Sequence, residues 1–209
     1  MSDDHDHDDD EEPTAAPDAV DDAMDAAAIQ EALQSAIDGG RKVQIVRGAL
    51  AQSTWNGFPL LLADDLVLVR TLRDFAFDGF AILCLRDITA VRAGDVERFF
   101  ERVIRAEGLD KNLPPPKPIL LRSLRNALES VRAHYRYAII ECESTDEDAF
   151  FLGEITRVDD EQVHLRYVHV DGTRDSDPTP IDLDAVTLVR FDELYVNLYG
   201  RYSLDAHHH

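Results

Sequence analysis

Residues 42–85 read KVQIVRGALAQSTWNGFPLLLADDLVLVRTLRDFAFDGFAILCL. Runs rich in Val, Ile, Leu and Phe at 42–51, 58–63, 66–72 and 80–85 alternate with Asn56-Gly57, Asp64-Asp65 and Asp78-Gly79, residue pairs that favour turns. This spacing predicts a series of short, turn-linked β-strands. Upstream, Ile29, Leu33, Ala36 and Ile37 recur at helical spacing before Gly39-Gly40, which predicts an amphipathic helix over 26–38. Downstream, Val96, Phe99, Phe100, Val103 and Ile104 share one face and Gly108 stands at a C-cap position, which predicts a second helix over 95–107.

Residues 109–118 include Pro114-Pro115-Pro116 and Pro118, which fix φ and remove backbone donors, so a stiff connector is expected there. Beyond it the order starts again. Leu121, Leu124, Leu128 and Val131 predict a helix over about 119–132. Strand-like runs follow at 137–143, 150–158, 162–170 and 185–191, and then an apolar, aromatic end over 194–202. Sliding the chain against itself by 95 residues aligns positions 29–65 without a gap. Ala32, Leu33, Ser35, Arg41, Ile45, Asp64 and Asp65 fall on Ala127, Leu128, Ser130, Arg136, Ile140, Asp159 and Asp160. Those seven identities in 37 positions exceed the roughly two that average residue usage would give. With small register changes, Asp78-Gly79 meets Asp171-Gly172, and residues 88–92 meet 186–190. A duplicated unit is expected.

A short helix followed by about five turn-linked strands is the layout of Sm-like and SH3-like barrels. The pieces Phe77-Asp78-Gly79-Phe80, Leu85-Arg86-Asp87-Ile88-Thr89 and Phe99-Phe100-Glu101 make residues 58–108 resemble uncharacterised bacterial proteins with small Sm-like domains, and the second half resembles them more loosely. The resemblance implies a mostly β, α+β chain of two Sm-like or SH3-like β-barrel modules, each preceded by a short helix. The expected division is an acidic tail at 1–25, a first module at 26–108, the linker at 109–118, a second module at 119–204 and a tail or tag at 205–209. It implies fold rather than activity, and the loop that carries the Sm RNA-binding motif has no such motif here.

The chain has 209 residues with 42 acidic and 21 basic side chains, a net charge of −21. Residues 1–25 hold twelve of the acids and no Lys or Arg, leaving 30 acids against 21 bases, or −9, over 26–209. Such a tail buries too little to offset the entropy of ordering and is expected to be disordered. The charge repels phosphate backbones and anionic membranes and favours a basic partner. No apolar stretch of transmembrane length exists and the N-terminus is acidic, so a cytoplasmic protein is expected. Cys84 and Cys142 lie in apolar runs, as buried thiols do in a reducing compartment. The run His207-His208-His209 has the composition of a tag and is given no functional weight.

No residue set carries a catalytic or metal signature. His5 and His7 alternate with Asp4, Asp6 and Asp8, but a chain without fixed geometry binds ions weakly. Cys142 with His134 is a thiol–imidazole pair by type only. His164 and His169 are an odd number of residues apart and so belong to opposite strand faces. The carboxylates Asp146, Glu147, Asp148 and Asp171, Asp175, Asp177 read as solvated hairpin loops. Trp55, Phe58, Phe75 and Phe77 beside turns, and Tyr195, Tyr199 and Tyr202 at the end, are either barrel plugs or interface anchors. The expected function is non-enzymatic binding or scaffolding of another protein, with no cofactor and no metal. Nucleic-acid binding along Arg122, Arg125, Arg132 and Arg136 is the alternative. A fixed contact is expected from Phe99 and Phe100 to Leu121, Leu124 and Leu128 or to the C-terminal tyrosines.

Overall fold

The computed structural model describes residues 23–48, 50, 54–143 and 149–205. Residues 1–22, with His5 and His7, residues 144–148, with Asp146, Glu147 and Asp148, and the terminal histidines lie outside the described residues. In the first half α1 (Ala26–Gly39) is followed by β1 (Val43–Arg47), β2 (Thr54–Leu62), β3 (Leu66–Arg73), β4 (Ala76–Cys84), β5 (Ile88–Arg92) and α2 (Asp95–Ala106). In the second half α3 (Leu124–His134) precedes β6 (Tyr137–Cys142), β7 (Ala149–Val158), β8 (Gln162–Tyr167), β9 (Thr173–Arg174), β10 (Thr179–Asp182), β11 (Leu188–Phe191), α4 (Leu194–Tyr202) and β12 (Leu204–Asp205). A 3-10 turn joins the fourth and fifth main strands of each half, at Leu85–Asp87 and Leu183–Ala185.

Ten strands form one antiparallel sheet in the order β10-β8-β7-β6-β11-β4-β3-β2-β1-β5. The chain is therefore mostly β with short helices, and its strands lie in one open sheet instead of two closed barrels. Within the sheet the first half runs β4-β3-β2-β1-β5 and the second β10-β8-β7-β6-β11, the same order by position in each half. The halves meet where β4 pairs with β11, Leu83 opposite Leu188 and Ala81 opposite Arg190. Fixed contact thus exists, but not where the helix periodicity suggested. Phe100 stacks on Phe75 of its own half, centroids 4.5 Å apart, and Phe99 meets the same ring edge-on.

The fusion explains why Leu66-Val67-Leu68-Val69 and Phe80-Ala81-Ile82-Leu83 are unbroken apolar runs. Val67, Val69, Ala81 and Leu83 face a core built with Ile29, Leu33, Ile45 and Trp55. Leu66, Leu68, Phe80 and Ile82 face the other way, into a core with Leu121, Leu128, Val131, Ile140, Val189 and Phe191. A strand covered on both faces loses the apolar/polar alternation of a half-exposed one. Phe80 and Phe191 stack across the seam at 5.4 Å.

Local chemistry sets most ends. Asp25 caps α1 by accepting from the Ala28 N–H, and Gly40 closes the helix at φ 55°. α3 starts at Leu124, later than its apolar pattern suggests, because the Ser123 side chain caps it. Ile119 and Leu121 are buried in the non-helical lead-in, Leu121 in a turn. Two of the expected turns are corrected. Asn56-Gly57 lies inside β2 and Asp78-Gly79 inside β4, and the β3–β4 turn is made instead by Asp74 and Phe75, with Asp74 at φ 53°. Both glycines serve close approach: a Cβ at Gly57 would lie 2.2 Å from the Arg70 carbonyl oxygen, and one at Gly79 would lie 2.5 Å from that of Phe191. Asp171-Gly172 does form a turn, so it is not the counterpart of Asp78-Gly79.

Candidate functional site

The seam between the halves carries a cluster of buried charges. Arg47 at the end of β1 pairs with Glu143 beyond β6 at 2.5 Å, and the Thr187 hydroxyl donates to the same carboxylate at 2.8 Å. Arg190 on β11 donates from Nε and a terminal nitrogen to both oxygens of Glu193 at 2.8 and 2.7 Å. Its other terminal nitrogen donates to Glu141 at 2.9 Å, and its guanidinium lies over the Trp55 ring. Burial pushes the Glu141 carboxyl up, and Arg190 pulls it back only in part. Burial also works against the Arg190 cation, but Glu193 and Glu141 hold it above the ordinary arginine value. Two guanidiniums are thus held by three carboxylates, the arrangement of a structural clamp.

The other sequence candidates separate. Cys142 sits in the core on β6 while His134 is exposed at the end of α3. Cys84 and Cys142 are free cysteines, and burial pushes both thiols up to about 11, leaving them neutral and weakly nucleophilic at physiological pH. His164 bonds Asp159 at 3.1 Å and His169 bonds Asp175 at 2.7 Å, two separate pairs. Asp171 caps its own turn through Thr173, and those hydrogen bonds hold its carboxyl below the usual range. Among the described residues no group of three or more His, Cys, Asp or Glu is arranged to hold a metal ion.

Of the four arginines proposed as a basic strip, Arg125 pairs with Asp160, Arg132 with Glu129 and Arg136 with Glu154. A cleft of about 550 Å³ gathers Arg86, Arg122 and Arg125, but Asp65, Asp160 and Asp184 line it too. Equal numbers of opposite charges there give a phosphate chain little to bind.

The aromatic candidates divide. Trp55 and Phe58 are buried, and Phe77 is half-buried against Arg70, whereas Phe75, Tyr195 and Tyr202 are exposed. α4 explains the last two. Its inner side packs Val196 on Tyr137, Ile139, Leu152 and Val168, and Gly200 lets the helix approach the Tyr137 ring, where a Cβ would lie 2.9 Å from it. Its outer side carries Leu194, Tyr195, Leu198 and Tyr202, exposed by 68, 48, 42 and 68%. At 3.6 residues per turn these four fall within about 100° of arc. Helix α1, by contrast, turns Gln30, Glu31, Gln34 and Asp38 outward.

Carboxylates frame this stripe. Asp78, which also pairs with Arg73 at 3.5 Å, accepts from the Leu194 N–H at 3.1 Å, Asp192 accepts from the Asn197 amide at 3.1 Å, and Asp205, paired with Arg174 at 3.1 Å, follows exposed Leu204, while the Arg201 guanidinium lies over the Tyr202 ring. Tyr199 donates to the Val170 carbonyl and the Leu204 N–H to that of Gly172, which brings exposed Val170 and Asp171 to the rim. Asp192 also lines a cleft of about 570 Å³ with Arg70, Phe75, Phe77, Leu109 and Pro114. An apolar stripe with a charged rim suits a protein surface that is apolar at its centre and polar at its edge.

No family model matches the chain, and no curated protein or solved structure matches it. The functional reading therefore rests on this surface alone. Tyr195, Tyr199 and Tyr202 were legible as a cluster, but Leu194 and Leu198 were not singled out. The signal was their helical spacing with Tyr195 and Tyr202 in a segment with little charge. Among the described residues no helix is long and apolar enough to cross a membrane.

Proposed function

We propose that this chain is a non-enzymatic binding or scaffolding protein whose α4 stripe recognises a basic protein partner. The observation that carries the reading is four large apolar and aromatic side chains on one outward helical face, exposed by 42 to 68%, with Asp171 and Asp192 at the rim and Asp78 and Asp205 offset there by Arg73 and Arg174. Leaving such a surface in water is unfavourable at about 25 cal/mol per Å² of apolar area, and the net charge of −21 steers cations toward the chain as a whole. The halves are read as tandem Sm-like modules opened into a shared sheet. Support comes from the leading helix, the common strand order and the 3-10 turn before each fifth strand. The nucleic-acid alternative loses support from the paired arginines.

The test is quantitative binding rather than capture alone. A protein recovered on the wild-type chain should bind Leu198→Asp at least about tenfold more weakly, since anchor residues contribute 2 kcal/mol or more. Glu31→Lys on the outward side of α1 should leave that affinity unchanged, and raised salt should weaken it. Equal binding by wild type and Leu198→Asp would remove α4 from the interface. Turnover of a metabolite with no partner recovered would remove the binding reading altogether.

A further inference from the structure

Arg47 and Arg190 end on carboxylates. Arg70 on β3 does not. Its guanidinium forms no hydrogen bond or ion pair among the described residues, and its Nε is buried without a partner while its terminal nitrogens keep access to solvent. The central carbon of the guanidinium stands 4.3 Å from the centroid of the Phe80 ring and 5.0 Å from that of Phe77. Aromatic faces return only part of the hydration that such a cation gives up. Burial holds the Arg70 pKa below the ordinary arginine value, and the nearby Asp192, Tyr135 and Asp78 offset this only in part.

This guanidinium lines a cleft of about 570 Å³, within the range of about 300–1,000 Å³ common for small-molecule sites. Phe75 and Phe77 from the β3–β4 turn, with Pro114 and Pro116 from the connector, give it an apolar lining. The prolines fix φ, so the connector side of the cleft is stiff before anything binds. The charged groups of the lining are Arg70 and Lys111 against Asp192, an excess of one positive charge in a chain of net charge −21. A single carboxylate balances that excess, and its two oxygens match the fork of a guanidinium's terminal nitrogens. A polyphosphate would bring more negative charge than the cleft offsets and would meet Asp192. We propose that this cleft binds a monocarboxylate with an aromatic body, the carboxylate on Arg70 and Lys111 and the ring among Phe75, Phe77 and the connector prolines. The site is separate from the α4 stripe. A free aryl acid and the C-terminal carboxylate of a peptide ending in an aromatic residue share this chemistry.

The test titrates naphthoate into the full chain and follows the backbone amides of residues 70–77 and 109–112. Saturable shifts centred on those segments are expected, and naphthamide, the uncharged isostere, should bind at least about tenfold more weakly. Arg70→Met keeps an unbranched stem over Phe80 and should weaken naphthoate binding at least about tenfold. Asp192→Asn, at a position of φ 59° that asparagine accepts, should tighten it, because the opposing charge is gone. Arg166→Met should leave it unchanged. Arg166 occupies the repeat position 96 residues later and also has a buried Nε without a partner, but it does not line the cleft. A tripeptide ending in Phe, with its C-terminus free or amidated, separates the two sources: tighter binding of the free peptide than of naphthoate assigns the cleft to a protein terminus, and the reverse order assigns it to a free acid. No saturable shift with either probe would overturn the proposal and leave Arg70 as a cap on the Phe80 ring. Equal binding of naphthoate and naphthamide, or of naphthoate by wild type and Arg70→Met, would overturn it as well.

Discussion

Replacing Arg47 by alanine is expected to lower the melting temperature by on the order of 10 °C. Breaking a buried ion pair by removing one partner costs about 3–5 kcal/mol, because the other charge stays desolvated and uncompensated. For a chain of this size each kcal/mol shifts Tm by about 2–4 °C. Arg47 is fully buried, and Glu143 receives both its guanidinium and the Thr187 hydroxyl. The two residues belong to different halves, so the loss should appear as one cooperative transition. Thermal melts of Arg47→Ala, Glu143→Leu and Arg47→Met/Glu143→Leu check it. Each single variant should lose stability and the double should regain most of it. A loss below about 1 kcal/mol for Arg47→Ala would mean that the pair does not hold the seam.

Gly153→Ala is expected to destabilise at least as much as a severe overpacking variant, near or above the upper end of about 1–3 kcal/mol. The added Cβ would lie 2.2 Å from the Arg166 carbonyl oxygen and 2.5 Å from Leu165 Cδ2. Backbone cannot swing away as a side chain does, so β7 and β8 would have to separate where they bend around each other. A Cβ at Gly57 would lie 2.2 Å from the Arg70 oxygen and 2.7 Å from Val69 Cγ1, and all three positions are 96 residues earlier than their counterparts. The ladder irregularities follow the same shift, between Pro59 and Leu61 and between Ile155 and Arg157. Gly57→Ala should therefore resemble Gly153→Ala. Gly48→Ala, whose Cβ would stand 3.5 Å from Thr89 Cγ2, should be nearly silent. Denaturant titrations that rank Gly153→Ala with Gly48→Ala would contradict the close-approach argument.

How far the sequence carried this reading depended on whether a signal was local. Helices α1 and α2 were legible because periodicity and end residues agree, with Gly40 and Gly108 both at positive φ where stops were expected. The runs of β3 and β4 were legible as strands. That they are covered on both faces needed the partner strand β11, almost a hundred residues away. Asn56-Gly57 and Asp78-Gly79 were misread because the same dipeptides serve tight turns and close strand crossings, and only the neighbouring carbonyl distinguishes the two. β10 was missed because Pro178 and Pro180 argue against a strand, yet proline is tolerated on the outermost strand, which β10 is. The repeat was visible at an offset of 95, and the glycines and bulges set it at 96. The tyrosine cluster was legible, whereas the outward direction of Leu194 and Leu198 depends on how Gly200 lets α4 settle on Tyr137.

The placement of α4, the buried ion pairs and the two-faced strands all depend on the two halves sharing one sheet through β4 and β11. Cross-strand NOE measurements on the full chain test this most directly. Contacts between Leu83 and Leu188 and between Ala81 and Arg190, with β11 amides that exchange only on global unfolding, are the predicted result. Absence of those contacts, with β11 amides exchanging rapidly and the halves tumbling independently, would contradict it.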